Sequence, residues 1–172
     1  MIRAPARCWV DPRVVARPSS IEGLGLFASA PIAKGEIVGK LGGRVIDDAE
    51  LRQISRARSK YNSAAIGEGV NVLLEDDEMI ARGNHSCDSN LWMRDEYTLE
   101  ARRDIASGEE VTVDYALQTS IPEWEMACQC GSPLCRTVLR GDDWMRPELQ
   151  ARYRGHFSPF LNRRIEHMNA ED

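Results

Sequence analysis

A mainly β domain with helical additions, α+β in class, is the fold the sequence predicts, and three observations predict it. Short β-prone stretches recur along the chain and are closed by Gly or Pro. Only three segments carry the signals of a helix, and none is long. No stretch of the 172 residues is long enough to separate two domains, so one core is expected.

In chain order, residues 14–16 (Val14, Val15, Ala16), 26–28 (Leu26, Phe27, Ala28) and 36–38 (Glu36, Ile37, Val38) read as brief strands. Residues 47–58 are the clearest helix: Asp47 caps it, Asp48 and Glu50 sit in its first turn, and Arg56 and Arg58 close its last, where each sign suits the helix dipole. Residues 70–74 form another strand, followed by the acidic run 75–78, and further strands are expected at 91–93, 97–101 and 110–114. Pro147 opens a helix over 147–153, because proline suits the first helical position. Residues 160–168 make a final amphipathic helix, polar at Arg163, Arg164 and Glu166. The segments 32–38 and 105–111 echo one another, each placing a glycine (Gly35, Gly108) at a turn before a strand. With one copy of each, this is shared turn chemistry and not a repeat architecture.

Hydrophobic residues make up 42% and charged residues 28%, a balance that argues against a disordered, fibrous or membrane-spanning chain. No apolar run approaches the roughly 20 residues of a membrane-crossing helix. The first residues also lack the apolar core of a secretory signal, so a cytoplasmic location without membrane association is expected. The net charge of −5 disfavours direct nucleic-acid binding. That average hides an asymmetry. From Glu68 to Asp114 there are 13 acidic residues against 4 arginines, whereas Arg3, Arg7, Arg13 and Arg17 face only Asp11 in the first 18 residues. If the acidic segment forms one face it favours a basic partner; a solvated surface accounts for the same counts.

Five cysteines stand at positions 8, 87, 128, 130 and 135, an odd number that speaks against a secreted disulfide scaffold. Cys128, Cys130 and Cys135 form a C-x-C-x4-C cluster, a metal-site pattern that needs a fourth ligand from Cys8, Cys87 or a histidine. Three other motifs are spread along the chain: Gly23-Leu24-Gly25, the heptad from Asn84 through His85 and Cys87 to Asn90, and the run from Gly108 through Glu110 to Asp114 and Tyr115. The glycine pair does not extend to a dinucleotide fingerprint, since the third glycine would fall at Ala28.

Taken in order, these motifs resemble the SET-domain protein lysine methyltransferases with a post-SET zinc motif, over roughly residues 12–140. The length and the tail, with Trp144, Pro147 to Gln150, Arg152 and Tyr153, are similar to the small stand-alone bacterial members. The resemblance implies a SET domain over 12–116, built of short curved sheets with a knot-like C-terminal segment. It further implies a post-SET zinc-binding segment over 124–140 and a helical tail over 141–172 packed on the same unit. The implied activity is transfer of a methyl group from S-adenosyl-L-methionine to a lysine side-chain amine of a basic protein. Gly23, Leu24, Gly25, Asn84, His85 and Tyr115 are the implied cofactor contacts, and glycine suits a place where backbone must approach a ligand closely. His85 is expected to contact the cofactor mainly through its main chain. Tyr115 matches the active-site tyrosine, and Tyr61 is a second candidate for the lysine channel. Cys87 would join Cys128, Cys130 and Cys135 around one structural Zn2+, leaving Cys8 free.

Two departures stand out. The family usually carries Arg-Phe-Ile before the Asn-His pair, where this chain has Ala81-Arg82-Gly83. It often carries Phe or Tyr two residues before the active-site tyrosine, where this chain has Val113, whose smaller side chain leaves room for di- or trimethylation. These departures favour a competing reading, a catalytically weak or inactive, zinc-stapled interaction module; a methyltransferase acting on a non-protein amine is a third reading that the residues leave open. Asn84, Tyr115 and the four cysteines favour the enzyme.

Overall fold

The structure, a computed structural model, describes residues 4–171; Arg3 of the basic N-terminus lies outside them. Its strands are β1 (Trp9–Val10), β2 (Val14–Pro18), β3 (Leu24–Ala28), β4 (Ile37–Lys40), β5 (Arg44–Asp47), β6 (Ser63–Gly67), β7 (Val70–Leu73), β8 (Leu91–Met93), β9 (Thr98–Ala101), β10 (Glu110–Val111), β11 (Glu125–Ala127) and β12 (Val138–Arg140). The helices are α1 (Asp48–Ala57), α2 (Pro147–Arg152) and α3 (Pro159–Glu171), with single 3-10 turns at Met79–Arg82, Tyr115–Leu117 and Asp143–Met145. The strands form four small sheets, ordered β1-β4-β9-β8, β10-β3-β2, β5-β7-β6 and β11-β12, and every ladder is antiparallel.

The elements with local signals form where those signals stand. Asp47 caps α1 by accepting the Glu50 amide at 2.8 Å, and Leu51 anchors the helix in the core. Gly23, at φ +48°, turns the chain between β2 and β3, and Ser19 N–H donates to the Gly23 carbonyl at 2.9 Å. The two echoing glycine turns pack side by side. Ile32 and Ile105 exchange amide hydrogen bonds of 2.9–3.0 Å, so the similar sequences serve one joint.

One expected strand is shorter than the sequence suggested. Residues 110–114 pair as β10 only over Glu110–Val111, because the chain then leaves the sheet and runs between two other backbone segments. Val113 N–H donates to Asn84 O at 3.3 Å, Ser86 N–H to Val113 O at 3.2 Å, and Leu91 N–H to Thr112 O at 3.0 Å. This crossing brings Asn84, His85 and Tyr115 together from motifs 30 residues apart. Tail residues Trp144, Leu149, Tyr153, Phe157, Phe160 and Leu161 share one buried cluster with sheet residues such as Leu26, Ile32 and Leu99. No helix is long and apolar enough to cross a membrane among the described residues.

Candidate active site and cysteine centre

The β2–β3 turn, the 83–85 segment and the start of the Tyr115–Leu117 turn converge. Asn84 ties them. Its amide Nδ2 donates to the carbonyls of Glu22 (3.1 Å) and Leu24 (3.3 Å) and to Glu110 Oε1 (2.9 Å), while its Oδ1 takes no hydrogen bond among the described residues. The Glu110 carboxylate also receives the Ser19 hydroxyl at 2.9 Å and occupies the space where a side chain at position 25 would begin. A side chain at position 25 would displace the Glu110 carboxylate from this arrangement, and Gly23 is favoured by its left-handed backbone. The result is a backbone cradle with an unspent acceptor.

Tyr115 lies under this cradle. Its hydroxyl donates to the Gly83 carbonyl at 3.2 Å, and its ring tilts against His85 (5.2 Å) and meets Trp124 edge-on (6.3 Å). Burial, with Glu22 and Cys128 nearby, pushes its pKa up to about 12, so the phenol keeps its proton. The hydroxyl contact uses the main chain at position 83 and does not depend on glycine there. Leu26 Cδ1 would lie 3.5 Å from a Cβ at position 83 and Ile80 packs over Gly39, so apolar contact is supplied from elsewhere in the fold.

Two cavities meet at Tyr115. A larger one, of about 950 Å³, is lined by Gly23, Leu24, Tyr61, Val113, Tyr115 and Trp124 among others. A smaller one, of about 350 Å³, runs between Ile21, Asn84, His85 and the Met126–Cys130 segment. Glu22, Asn84 and Tyr115 line both. The structure brings Tyr61 to the larger cavity, where burial raises its pKa against the pull of the Ser55 hydroxyl, but not into the cluster of Asn84, His85 and Tyr115.

The carboxylates of the acidic segment do not form one face on the larger cavity. The acidic residues lining that cavity are Glu22, Glu123 and Glu125, all outside residues 68–114. Several within the segment engage arginines: Asp77 and Glu78 pair with Arg7, Glu109 with Arg103, Glu68 with Arg164, and Asp76 with Arg58 at the cavity's edge. A count of charges along the chain cannot reveal such pairings.

Behind Tyr115, His85 is buried and its main chain bridges Val113, but its ring does more than was expected of it. Nδ1 accepts the Tyr115 amide N–H at 3.1 Å, so the ring proton sits on Nε2, which points at Cys87 Sγ 3.2 Å away. Burial drives the ring's pKa down to about 4 against the attraction of Asp114, keeping it neutral. His85 Nε2 and the thiols of Cys87, Cys128 and Cys130 all lie within 4.8 Å of one another. The Cys135 thiol is not one of these four and donates to the Cys128 carbonyl at 3.7 Å.

This donor set fits zinc. A tetrahedron with Zn–S of about 2.3 Å has S···S edges of about 3.8 Å, and Cys87 Sγ to Cys128 Sγ is 3.8 Å. A protonated Nε2 offers a metal no lone pair, so His85 in this tautomer suits a hydrogen bond to the Cys87 sulfur. The Arg136 amide gives Cys87 Sγ another hydrogen bond at 3.3 Å. Burial opposes ionisation of Cys130, yet the Cys87 and Ser132 amides and the neighbouring thiols outweigh it and hold its pKa down to about 7. Cys8 lies apart, its thiol donating to the Gly42 carbonyl at 3.2 Å.

Sequence reasoning missed the network that locks Tyr115 to the cysteine segment. Asp114, fully buried, accepts both Arg136 terminal nitrogens at 2.7 Å, the Ala116 amide at 3.0 Å and the Tyr153 hydroxyl at 3.2 Å. Arg136 Nε lies 3.0 Å from Asp143 Oδ2, and the side chains of Arg136 and Asp143 are 5% and 4% exposed. One guanidinium thereby joins the Asp-Tyr motif, the residue after Cys135 and the helical tail. Only the position of Asp114 beside Tyr115 hinted at a role.

A family profile described as "SET domain" matches residues 23–116. Histone-lysine N-methyltransferase ATX2 of Arabidopsis thaliana is 33% identical over 144 residues, covering 74% of this chain and 13% of that protein. A histone-lysine N-methyltransferase of Yarrowia lipolytica, described as H3 lysine-4 specific, is 32% identical over 134 residues, covering 70% of this chain and 12% of that protein. The chain thus spans about one-eighth of the length of these relatives. The crystal structure of the methyltransferase domain of human histone-lysine N-methyltransferase SETMAR superposes with a TM-score of 0.56 at 21% identity, covering 71% of this chain and 55% of that one, a likeness of fold.

Proposed function

Because the chain belongs to the SET-domain family, we propose that it is a protein-lysine N-methyltransferase that uses S-adenosyl-L-methionine. The observation that carries this reading is the position of Tyr115 at the junction of two cavities, its hydroxyl fixed by the Gly83 carbonyl. A transfer between two bound partners needs such a meeting point.

The cradle of Gly23, Leu24 and Gly25, with Asn84, His85 and Tyr115, would hold the cofactor. Asn84 Oδ1 is the free acceptor suited to an ammonium group. Bound there, the cofactor would supply a methyl group carried on a sulfonium. The lysine amine must shed its proton before it attacks, and an enclosed wall favours the neutral amine by desolvation. The chemistry so supplied would form a nitrogen–carbon bond at the expense of the carbon–sulfur bond, and the methylated amine would pass its extra proton to water. Tyr115, protonated up to about pH 12, orients and does not act as base. Tyr61, on the larger cavity, would line the approach of the substrate side chain.

In the same reading, Cys87, Cys128, Cys130 and Cys135 hold one structural zinc in a post-SET segment over 124–140, following a SET unit over 12–116 and preceding a helical tail over 141–172. The protein works in the cytoplasm. The relatives named for histone lysines favour a basic protein substrate, while the carboxylates lining the larger cavity are Glu22, Glu123 and Glu125 and none comes from residues 68–114. The substrate is accordingly a protein lysine, with its surroundings taken up below.

The test is incubation with methyl-labelled cofactor and a panel of lysine-bearing proteins and peptides, followed by mass spectrometry. Label on a lysine ε-nitrogen is the expected result. Bound cofactor with no labelled lysine would instead leave a SET-like binding module, and label confined to small molecules would leave a non-protein amine as acceptor.

A further inference from the structure

The larger cavity has two unlike walls. On one, the end of α1 and the residues after it present Arg52, Ser55, Arg56, Arg58, Ser59 and Lys60. On the other stand Glu22, Glu123 and Glu125, and each of these carboxylates is already engaged by a cation: Glu22 by Lys60 at 3.5 Å, Glu123 by Arg52 at 3.5 Å, and Glu125 by Arg140. Arg56 has neither ion pair nor hydrogen bond among the described residues, and Arg58 reaches Asp76 only at 3.7 Å with both side chains exposed. The lining therefore carries positive charge without a counter-ion and no carboxylate without one. Arg58 is the C-cap residue of α1, and Lys60 lies beyond it.

We infer that this wall is a carboxylate-recognition subsite, and that the lysine methylated by this protein is flanked within a few residues by aspartate or glutamate. The inference rests on the lysine-methyltransferase reading above and specifies its substrate. Flanking carboxylates on the substrate would pair with Arg56 and Arg58, where a basic flank would be repelled.

Fluorescently labelled lysine peptides identical except for Glu, Ala or Arg at the flanking positions test this by anisotropy, and the same peptides are assayed for methyl transfer. The Glu-flanked peptide is expected to bind about fivefold tighter per carboxylate than the Ala-flanked one, the upper range for an exposed pair. The Arg-flanked peptide should bind weakest, and the differences should shrink with salt. R56A should narrow the preference and the R56E/R58E variant should reverse it. Equal or tighter binding of the Arg-flanked peptide, an order unchanged in R56E/R58E, or no peptide binding at all overturns the inference. Loss of cofactor affinity in R56E/R58E by calorimetry, with peptide preference intact, also overturns it, since the wall would then read the cofactor's own carboxylate. Selective binding with no methyl transfer sustains the subsite and defeats the methyltransferase reading.

Discussion

On the side of Tyr115, charged groups are buried and matched; on the side of α1, they are exposed and matched loosely or not at all. Asp114, Arg136 and Asp143 sit at 5% side-chain exposure or less, with contacts of 2.7 to 3.0 Å. Arg52, Arg58 and Lys60 meet their partners at 3.5 to 3.7 Å with side chains that are 37% to 86% exposed. Buried ion pairs cost heavily when half broken, so they hold one geometry. Exposed pairs are screened and cost little to exchange for others. The difference separates two tasks: the first wall fixes the tyrosine and the cysteine segment, and the second is free to trade its partners for those of a substrate.

Removing the metal should break the first wall most severely. Chelation, or Cys128→Ser, is expected to release segment 124–140 and expose the remaining thiols, because a closed four-thiolate site couples metal binding to folding. Thiol titration with and without chelator measures this, and equal reactivity in both would remove zinc from the account. Arg136→Met comes next. It strands Asp114 as a buried, unpaired charge at a cost of about 3–5 kcal/mol, read as a fall in denaturation midpoint.

A smaller effect belongs to Tyr153. Burial, reinforced by Asp114, pushes its pKa up to about 12. The unfolded chain then releases this proton first, near pH 10, so the contribution is intact below that pH and is lost as pH climbs through 12. At about 1.4 kcal/mol per unit, the loss approaches about 3 kcal/mol, and Tyr153→Phe should flatten that part of the pH–stability curve. The smallest effect is expected on the second wall. Arg52→Ala and Lys60→Ala should each change stability by less than about 1 kcal/mol, and a larger loss would blur the contrast between the walls.

What could be read from the sequence followed how local each signal is. The α1 cap at Asp47, the turns at Gly35 and Gly108 and the helix opened by Pro147 depend on neighbours within a few residues, and all stand where the sequence puts them. Strands β1, β5, β6, β11 and β12 were missed. Ser63–Gly67 is nearly all Ala, Ser and Gly, poor strand formers that are held by β7, and Glu125–Ala127 pairs with Val138–Arg140 with few buried residues in either strand. Motif order gathered Asn84, His85 and Tyr115 correctly, yet nothing in it disclosed the use of Asp114. Its partners Arg136 and Tyr153 lie 22 and 39 residues away, and their hydrogen bonds exist only once the tail has packed. The His85 ring was passed over for the same reason, since its proton is assigned by the Tyr115 amide 30 residues on.

The measurement that reaches the central claim most directly compares the protein with its Tyr115→Phe variant, using calorimetric cofactor binding and label transfer to lysine side by side. The account predicts that the variant retains most of its cofactor affinity while transfer falls about a hundredfold, the scale for losing one oriented polar group at a reacting centre. Transfer that continues undiminished without the hydroxyl, or wild-type protein that binds cofactor and labels no lysine, would contradict it.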